Sequence, residues 1–402
     1  MSERRIKICI IPPQKLPVPA VRGGAVEGLL DLLINENEIE NKMDITIISK
    51  YDYLAKEKSK KYKNTQFIFI HYNEILDKIF YKIKDYLFRF FKIKIRVHLY
   101  TLIYNLLITF KKYDLIVIES ADPQLSLITK KNRVENIVGH IHGKMAGNSL
   151  MDNKYGYFIA ISEFIKAEFL KNSDISNDRI YILKNGIDLS KFDINLSKEE
   201  AKEKIGLKDK KIILFVGRII KEKGIKELIL AFNKINNNND DDDEKLIIIG
   251  SSNFGNKDKT SFEYEIEQLV SNNKNIVQLG YLDNSLIIEY YKAADVAVMP
   301  SIWEEPAGLV ALESLACGTP LITTISGGLP EYISQNDALM LNIDDQLISN
   351  LAFNINKILS CPKLASELSE HGKITVKKYS QKKYYNEYYD ILCDILKRNQ
   401  KG

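Results

Sequence analysis

The chain has 402 residues and a mass of 46.2 kDa, too long for one compact core and suited to two domains of roughly 150–200 residues each. It is 45% hydrophobic and 27% charged with a mean hydropathy of −0.19, which excludes fibrous and wholly disordered classes. The net charge of +4 hides an asymmetry: residues 1–190 carry 30 Lys/Arg against 22 Asp/Glu, and the remainder carry 27 against 31.

In chain order, Ile6–Ile11 is too short and too interrupted for a signal peptide and reads as a first buried strand. Arg22-Gly23-Gly24-Ala25-Val26-Glu27 follows it and opens a helix from Gly28 to about Ile34. A glycine loop there lets backbone approach an anion, although it is not the G-x-G-x-x-G dinucleotide fingerprint. Further strands are expected at Ile45–Ser49, Phe67–His71, Leu115–Glu119, Ile137–Ile141, Phe158–Ile161 and Ile180–Leu183. Within Ile137–Ile141 and just beyond it, His140 and His142 have period two and share a strand face; with no third ligand near them in sequence, a hydrogen-bonding role at a sugar site is expected rather than a metal site.

Residues 78–112 hold nine basic residues against Asp85 and so carry the excess charge of the first half. From Lys78 to Arg96 cations and aromatics interleave. That pattern suits a helix on an anionic membrane surface, and equally an ordinary amphipathic helix with its lysines in water. No nucleic-acid recognition motif accompanies it. The longest mostly apolar run, Leu99–Phe110, falls well short of the about 20 residues of a bilayer span.

Asn185-Gly186-Ile187-Asp188 and the polar segment Leu189–Glu203 mark the domain boundary. Beyond it, strands are expected at Ile212–Val216, Leu246–Ile249, Ile276–Leu279, Val296–Met299 and Leu321–Thr323, alternating with helical patterns as in a parallel α/β sheet. The tract Asn236–Asp243 reads as a solvated loop. Gly217 turns the chain after its strand, and Arg218 and Lys223 emerge at the carboxyl edge where open α/β sheets bind ligands. Pro300–Glu313 puts Glu305 in a loop and Glu313 a turn into a helix starting near Leu309, with Gly308 at the turn. A helix start with unpaired N–H groups suits phosphate, and two flanking carboxylates suit hydroxyls. The segment Ser326–Glu331 adds a Gly-Gly turn, and Gln381–Lys397 is expected to be a final helix whose tyrosines pack in a core. Cys9, Cys317, Cys361 and Cys393 are scattered and expected to be reduced.

Taken jointly, Phe215-Val216-Gly217-Arg218…Lys223-Gly224, the Glu305–Glu313 segment, Ala316–Pro320, Gly327–Glu331, Asn185–Asp188 and Gly23-Gly24-Ala25 resemble glycosyltransferase family 4, over residues from about 8 to about 335. The resemblance implies a GT-B architecture: two Rossmann-like, doubly wound parallel-sheet domains facing a cleft. They would comprise 1–190 on the acceptor side and 191–378 for the donor nucleotide, with 379–402 a helix crossing back to the first domain. It implies that Arg218 and Lys223 bind the diphosphate, that Glu305 contacts the donor sugar and Glu313 the ribose. Backbone N–H groups near Leu309 and Val310 would face phosphate, Gly24 would lie close to the diphosphate, and His142, rather than His140, near the reacting carbon. The chain departs from the family at Pro306-Ala307, where an aromatic usually follows.

The implied activity is retaining, metal-independent transfer of a sugar, from a UDP-hexose or UDP-N-acetylhexosamine in preference to GDP-mannose, to a surface polysaccharide or glycolipid hydroxyl. No cofactor is expected, and no Asp-x-Asp stands in a strand-end loop. The expected partners are the nucleotide-sugar donor, a glycan or lipid-linked acceptor and an anionic membrane surface at residues 78–112, with no nucleic acid. The expected location is the cytoplasm, with a peripheral position at the inner face of the cell membrane. The competing readings are a GT-B sugar-nucleotide epimerase and a non-catalytic carbohydrate- or nucleotide-sugar-binding protein.

Overall fold

The computed structural model describes residues 4–71, 74–91, 99–109, 111–121, 134–145, 149–236, 243–252 and 259–401. The chain divides into two compact units, 1–186 with 381–402, and 187–380.

The first unit is built on seven parallel strands: β1 (Ile6–Ile11), β2 (Met43–Lys50), β3 (Thr65–Ile70), β4 (Leu115–Glu119), β5 (Ile137–Ile141), β6 (Tyr157–Ala160) and β7 (Ile180–Ile182). Their order is β3-β2-β1-β4-β5-β6-β7. The central strands β1 and β4 are near-continuous Ile, Val and Leu runs because both faces of the sheet are covered there, whereas the edge strand β3 admits Thr65 and Gln66. Chain order reverses between β1 and β4, and the carboxyl ends flanking such a reversal form the ligand-binding crevice of open α/β sheets. The helix after β1 spans Ala25–Glu40, starting earlier and running longer than the expected Gly28–Ile34 because Gly24 itself ends the turn. The helix Gln381–Lys401 packs on this unit, with Tyr384, Tyr385, Tyr388, Leu392 and Ile395 buried in the core containing Leu29, Leu33 and Ile45. Leu392 and Ile395 each contribute about 1.5–3 kcal/mol through burial, and the Tyr385 hydroxyl donates to Asn37 at 2.7 Å.

The basic stretch begins in the helix Glu74–Phe91, whose Ile75, Leu76, Ile79, Ile83, Tyr86 and Phe90 are exposed along one face. A second helix spans Leu99–Thr109; residues 92–98, including Lys92, Lys94 and Arg96, lie outside the described residues. No helix among the described residues is long and apolar enough to cross a membrane.

The second unit has six parallel strands: β8 (Lys211–Val216), β9 (Glu244–Ile249), β10 (Ile276–Gly280), β11 (Val296–Met299), β12 (Leu321–Thr324) and β13 (Ala338–Leu341). Their order is β10-β9-β8-β11-β12-β13, so chain order reverses between β8 and β11. Strand β13 is a four-residue apolar run too short to predict from its own pattern; pairing with β12 forms it. Most of the Asn/Asp tract, residues 237–242, lies outside the described residues, between the helix Ile225–Asn236 and β9.

Candidate active site

In the second unit, the residues around the β8/β11 reversal converge. Gly217 ends the first turn after β8, and Arg218 is exposed just beyond it. A single turn, Lys221–Lys223, ends at Gly224, whose φ of +67° is in the left-handed region. A Cβ at Gly224 would stand 1.8 Å from the Pro300 carbonyl oxygen, so only glycine allows this turn to lie against the loop after β11. That approach places Lys223 Nζ 2.5 Å from Glu305 Oε1. Ser301 donates its hydroxyl to the same oxygen, and the Trp303 ring centroid lies 5.7 Å from Nζ.

The Gly-Gly turn secures Glu305 from behind. The Gly328 N–H donates to the Glu305 carbonyl at 2.7 Å, and a Cβ on Gly327 (φ +52°) would sit 2.3 Å from that oxygen. The helix Leu309–Cys317 starts at Gly308 without a side-chain cap, leaving its first N–H groups, at Leu309 and Val310, to meet an anion. Gly308 is confined by Leu329, whose Cδ1 would be 2.2 Å from an added Cβ. Glu313 follows one turn in, where burial raises its carboxyl to about 7. The Tyr291 hydroxyl donates to it at 3.2 Å and works against that rise.

The β1/β4 reversal of the first unit carries different chemistry. Gly24, with φ +102°, is the uncapped start of the helix Ala25–Glu40. A Cβ there would lie 2.0 Å from Glu27 Oε2. Glu27 is buried, and its carboxyl is raised by burial and by the charge of Glu119. Glu119 ends β4 at 3% exposure. Its Oε2 is 2.5 Å from His142 Nε2 and 2.9 Å from His140 Nδ1. Burial opposes its ionisation, yet the two imidazoles hold it at about 2. Burial and His140 lower the basicity of His142 against the pull of Glu119. Glu119 Oε1 and both His140 ring nitrogens are buried without an aligned hydrogen-bond partner among the described residues.

Sequence order conceals this trio, and the expectation that no third ligand neighbours the histidines is overturned, because pairing of β4 with β5 brings Glu119 beside His140. Among the described residues it is a group whose ligand atoms lie close enough to hold a metal ion. The only sequence signal for Glu119 is a carboxylate closing an apolar strand. Ser301 and Trp303 were likewise not anticipated, although Trp303 is the only tryptophan in the chain.

Two Rossmann-like parallel-sheet units, together with the likeness to the solved glycosyltransferase structures below, place the chain in the GT-B fold class. Residues 197–375, all within the second unit, match the family model for glycosyl transferases group 1. It is 34% identical over 206 residues to the uncharacterized glycosyltransferase MJ1607 of Methanocaldococcus jannaschii, a match spanning 50% of each chain. The chain thus covers about half the length of that relative. A glycosyltransferase crystal structure from Rickettsia africae shares its fold with a TM-score of 0.74 and 22% identity, covering 98% of this chain and 99% of that one. Anabaena HepE in complex with UDP-glucose does so with a TM-score of 0.73 and 15% identity, covering 97% and 100%.

Proposed function

We propose that the chain is a retaining, metal-independent hexosyltransferase. It moves a sugar from a UDP-hexose or UDP-N-acetylhexosamine to a hydroxyl of a surface-polysaccharide or glycolipid acceptor. The observation that carries this reading is the contact of Lys223 with Glu305 beside the uncapped start of Leu309–Cys317. A cation, free N–H groups and a carboxylate stand within one loop cluster, as a diphosphate joined to a polyhydroxylated sugar requires. HepE, crystallised with UDP-glucose, supports the choice of a uridine donor.

In this reaction the bond between the anomeric carbon and the diphosphate oxygen breaks, and negative charge grows on the departing diphosphate. Arg218 and Lys223 stabilise that charge with the N–H groups of Leu309 and Val310. Fixed donors of this kind contribute about 3–4 kcal/mol each, and they perform the charge compensation without a metal ion. Glu305 accepts hydrogen bonds from sugar hydroxyls, and Glu313 from the ribose. Gly24 leaves room for the diphosphate at the first unit's loop, and His142 contacts the sugar near the reacting carbon. The acceptor hydroxyl attacks from the face the diphosphate leaves, and its proton passes to the diphosphate.

The exposed apolar face of the helix Glu74–Phe91, flanked by Lys78, Lys82 and Arg89, supports docking on an anionic membrane surface. The proposed location is the cytoplasm, peripheral at the inner face of the cell membrane, where a lipid-linked acceptor is met. A thermal-shift screen against UDP, GDP and a panel of nucleotide sugars tests the donor site: UDP and a UDP-sugar should raise the melting temperature. Stabilisation by neither nucleotide would refute the assignment.

A further inference from the structure

The carboxylate of Glu119 is buried at the carboxyl end of β4 with one oxygen held between two imidazoles. A buried carboxylate is costly unless partnered, and it accepts hydrogen bonds but donates none when ionised. The hydrogen on the nitrogen that faces it must therefore belong to the imidazole. For His142 that nitrogen is Nε2. Where an imidazole is neutral, a proton on one nitrogen leaves the other as an acceptor, so the partner of one nitrogen decides the chemistry of the other.

We propose that Glu119 is the positioning residue that sets the tautomer of His142: Nε2–H donates inward to Glu119 Oε2, leaving the Nδ1 lone pair as an acceptor for a hydroxyl of the transferred sugar. His142 on this assignment is neither a proton donor to the diphosphate nor a nucleophile. It selects donors that carry a hydroxyl where Nδ1 meets the sugar, because a buried acceptor left unmatched penalises an analogue lacking it. His140, 2.9 Å from the same oxygen and with its ring centroid 4.0 Å from that of His142, completes the buried support. The inference rests on the proposed place of His142 beside the sugar for its functional half, and on the structure alone for the tautomer.

The tautomer is read in the full chain labelled with 15N at its five histidines, from long-range 1H–15N spectra at pH 7.5, with His142 assigned by the signal lost in His142→Asn. A neutral ring protonated at Nε2 is expected. In Glu119→Gln the carboxamide can donate as well as accept, so a mixture of tautomers should replace the single one. Hydrolysis of UDP-glucose by the same variant should fall more than tenfold in kcat, with KM changed less than threefold and the UDP-induced thermal shift retained. A wild-type His142 that is protonated at Nδ1 or doubly protonated overturns the proposal, as does a single Nε2–H tautomer or an unchanged kcat in Glu119→Gln. A stoichiometric Zn2+ site lost in both Glu119→Gln and His142→Asn also overturns it and makes the trio a metal centre. If the wild type does not turn over UDP-glucose, the donor reading fails while the spectra still decide the tautomer.

Discussion

Glu119 closes β4 of the first sheet and Glu313 lies a turn into the helix after β11 of the second, and their carboxyls are displaced in opposite directions, one held at about 2 and the other raised to about 7. Both are desolvated. Glu119 faces two imidazoles, whereas Glu313 meets the neutral Tyr291 hydroxyl and the charge of Lys191. Burial alone pushes a carboxyl toward its neutral form, and only a positive or strongly donating neighbour reverses that. The first unit thus maintains a buried anion with imidazoles. The second pairs the Lys223 cation with Glu305, in the loop before the uncapped start of Leu309–Cys317.

The largest effect separating the two edges should come from Lys223→Ala. Steady-state turnover with the donor identified by thermal shift should fall about 100- to 1,000-fold, as for loss of one fixed donor to developing charge. An effect below tenfold would remove Lys223 from the charge-stabilising role. Glu119→Ala should cost stability as well as turnover, since it strips an acceptor from buried imidazoles; chemical denaturation should show a loss of about 1–3 kcal/mol. Full stability in that variant would mean that the trio is not a buried anion network.

The two glutamates also predict opposite pH responses. The carboxyl of Glu313 is raised from 4.5 to about 7 in the folded chain, so its stabilising contribution is complete below about 4.5 and disappears as pH rises through about 7. Glu119 is lowered from 4.5 to about 2, so its contribution is present above about 4.5 and is lost as pH falls toward 2. Ribose hydroxyls donate most strongly to an ionised carboxylate. Uridine affinity measured by calorimetry should therefore rise between pH 6 and 8 in the wild type and stay flat in Glu313→Gln. A flat wild-type curve would separate Glu313 from the ribose. The smallest effect per residue belongs to the helix Glu74–Phe91. Replacing Lys78, Lys82, Lys84 and Arg89 by Gln should weaken sedimentation with phosphatidylserine vesicles by about 1 kcal/mol per charge. Unchanged binding would discard the electrostatic part of the membrane reading.

The strands were legible because a parallel sheet covered on both faces demands continuous apolar runs, and Ile6–Ile11, Leu115–Glu119, Ile137–Ile141 and Val296–Met299 lie where those runs predict. β13 escaped because four residues carry too little pattern without the neighbouring strand that pairs with them. The second unit's site was legible for a related reason. Gly308 through Glu313 are close in sequence, and the Gly224 and Gly327 turns are locally recognisable.

By itself the sequence determined the alternation of strands and helices, the glycine turns and the identity of the cations at the second sheet's edge. These depend on periodicity and on backbone conformations that few residues adopt. Only the tertiary structure decided that Lys223 meets Glu305, 82 positions away, and that Glu119 sits between His140 and His142. Strand order creates those contacts, and strand order is set by how helices and sheets bury one another across the whole unit, which no local pattern encodes.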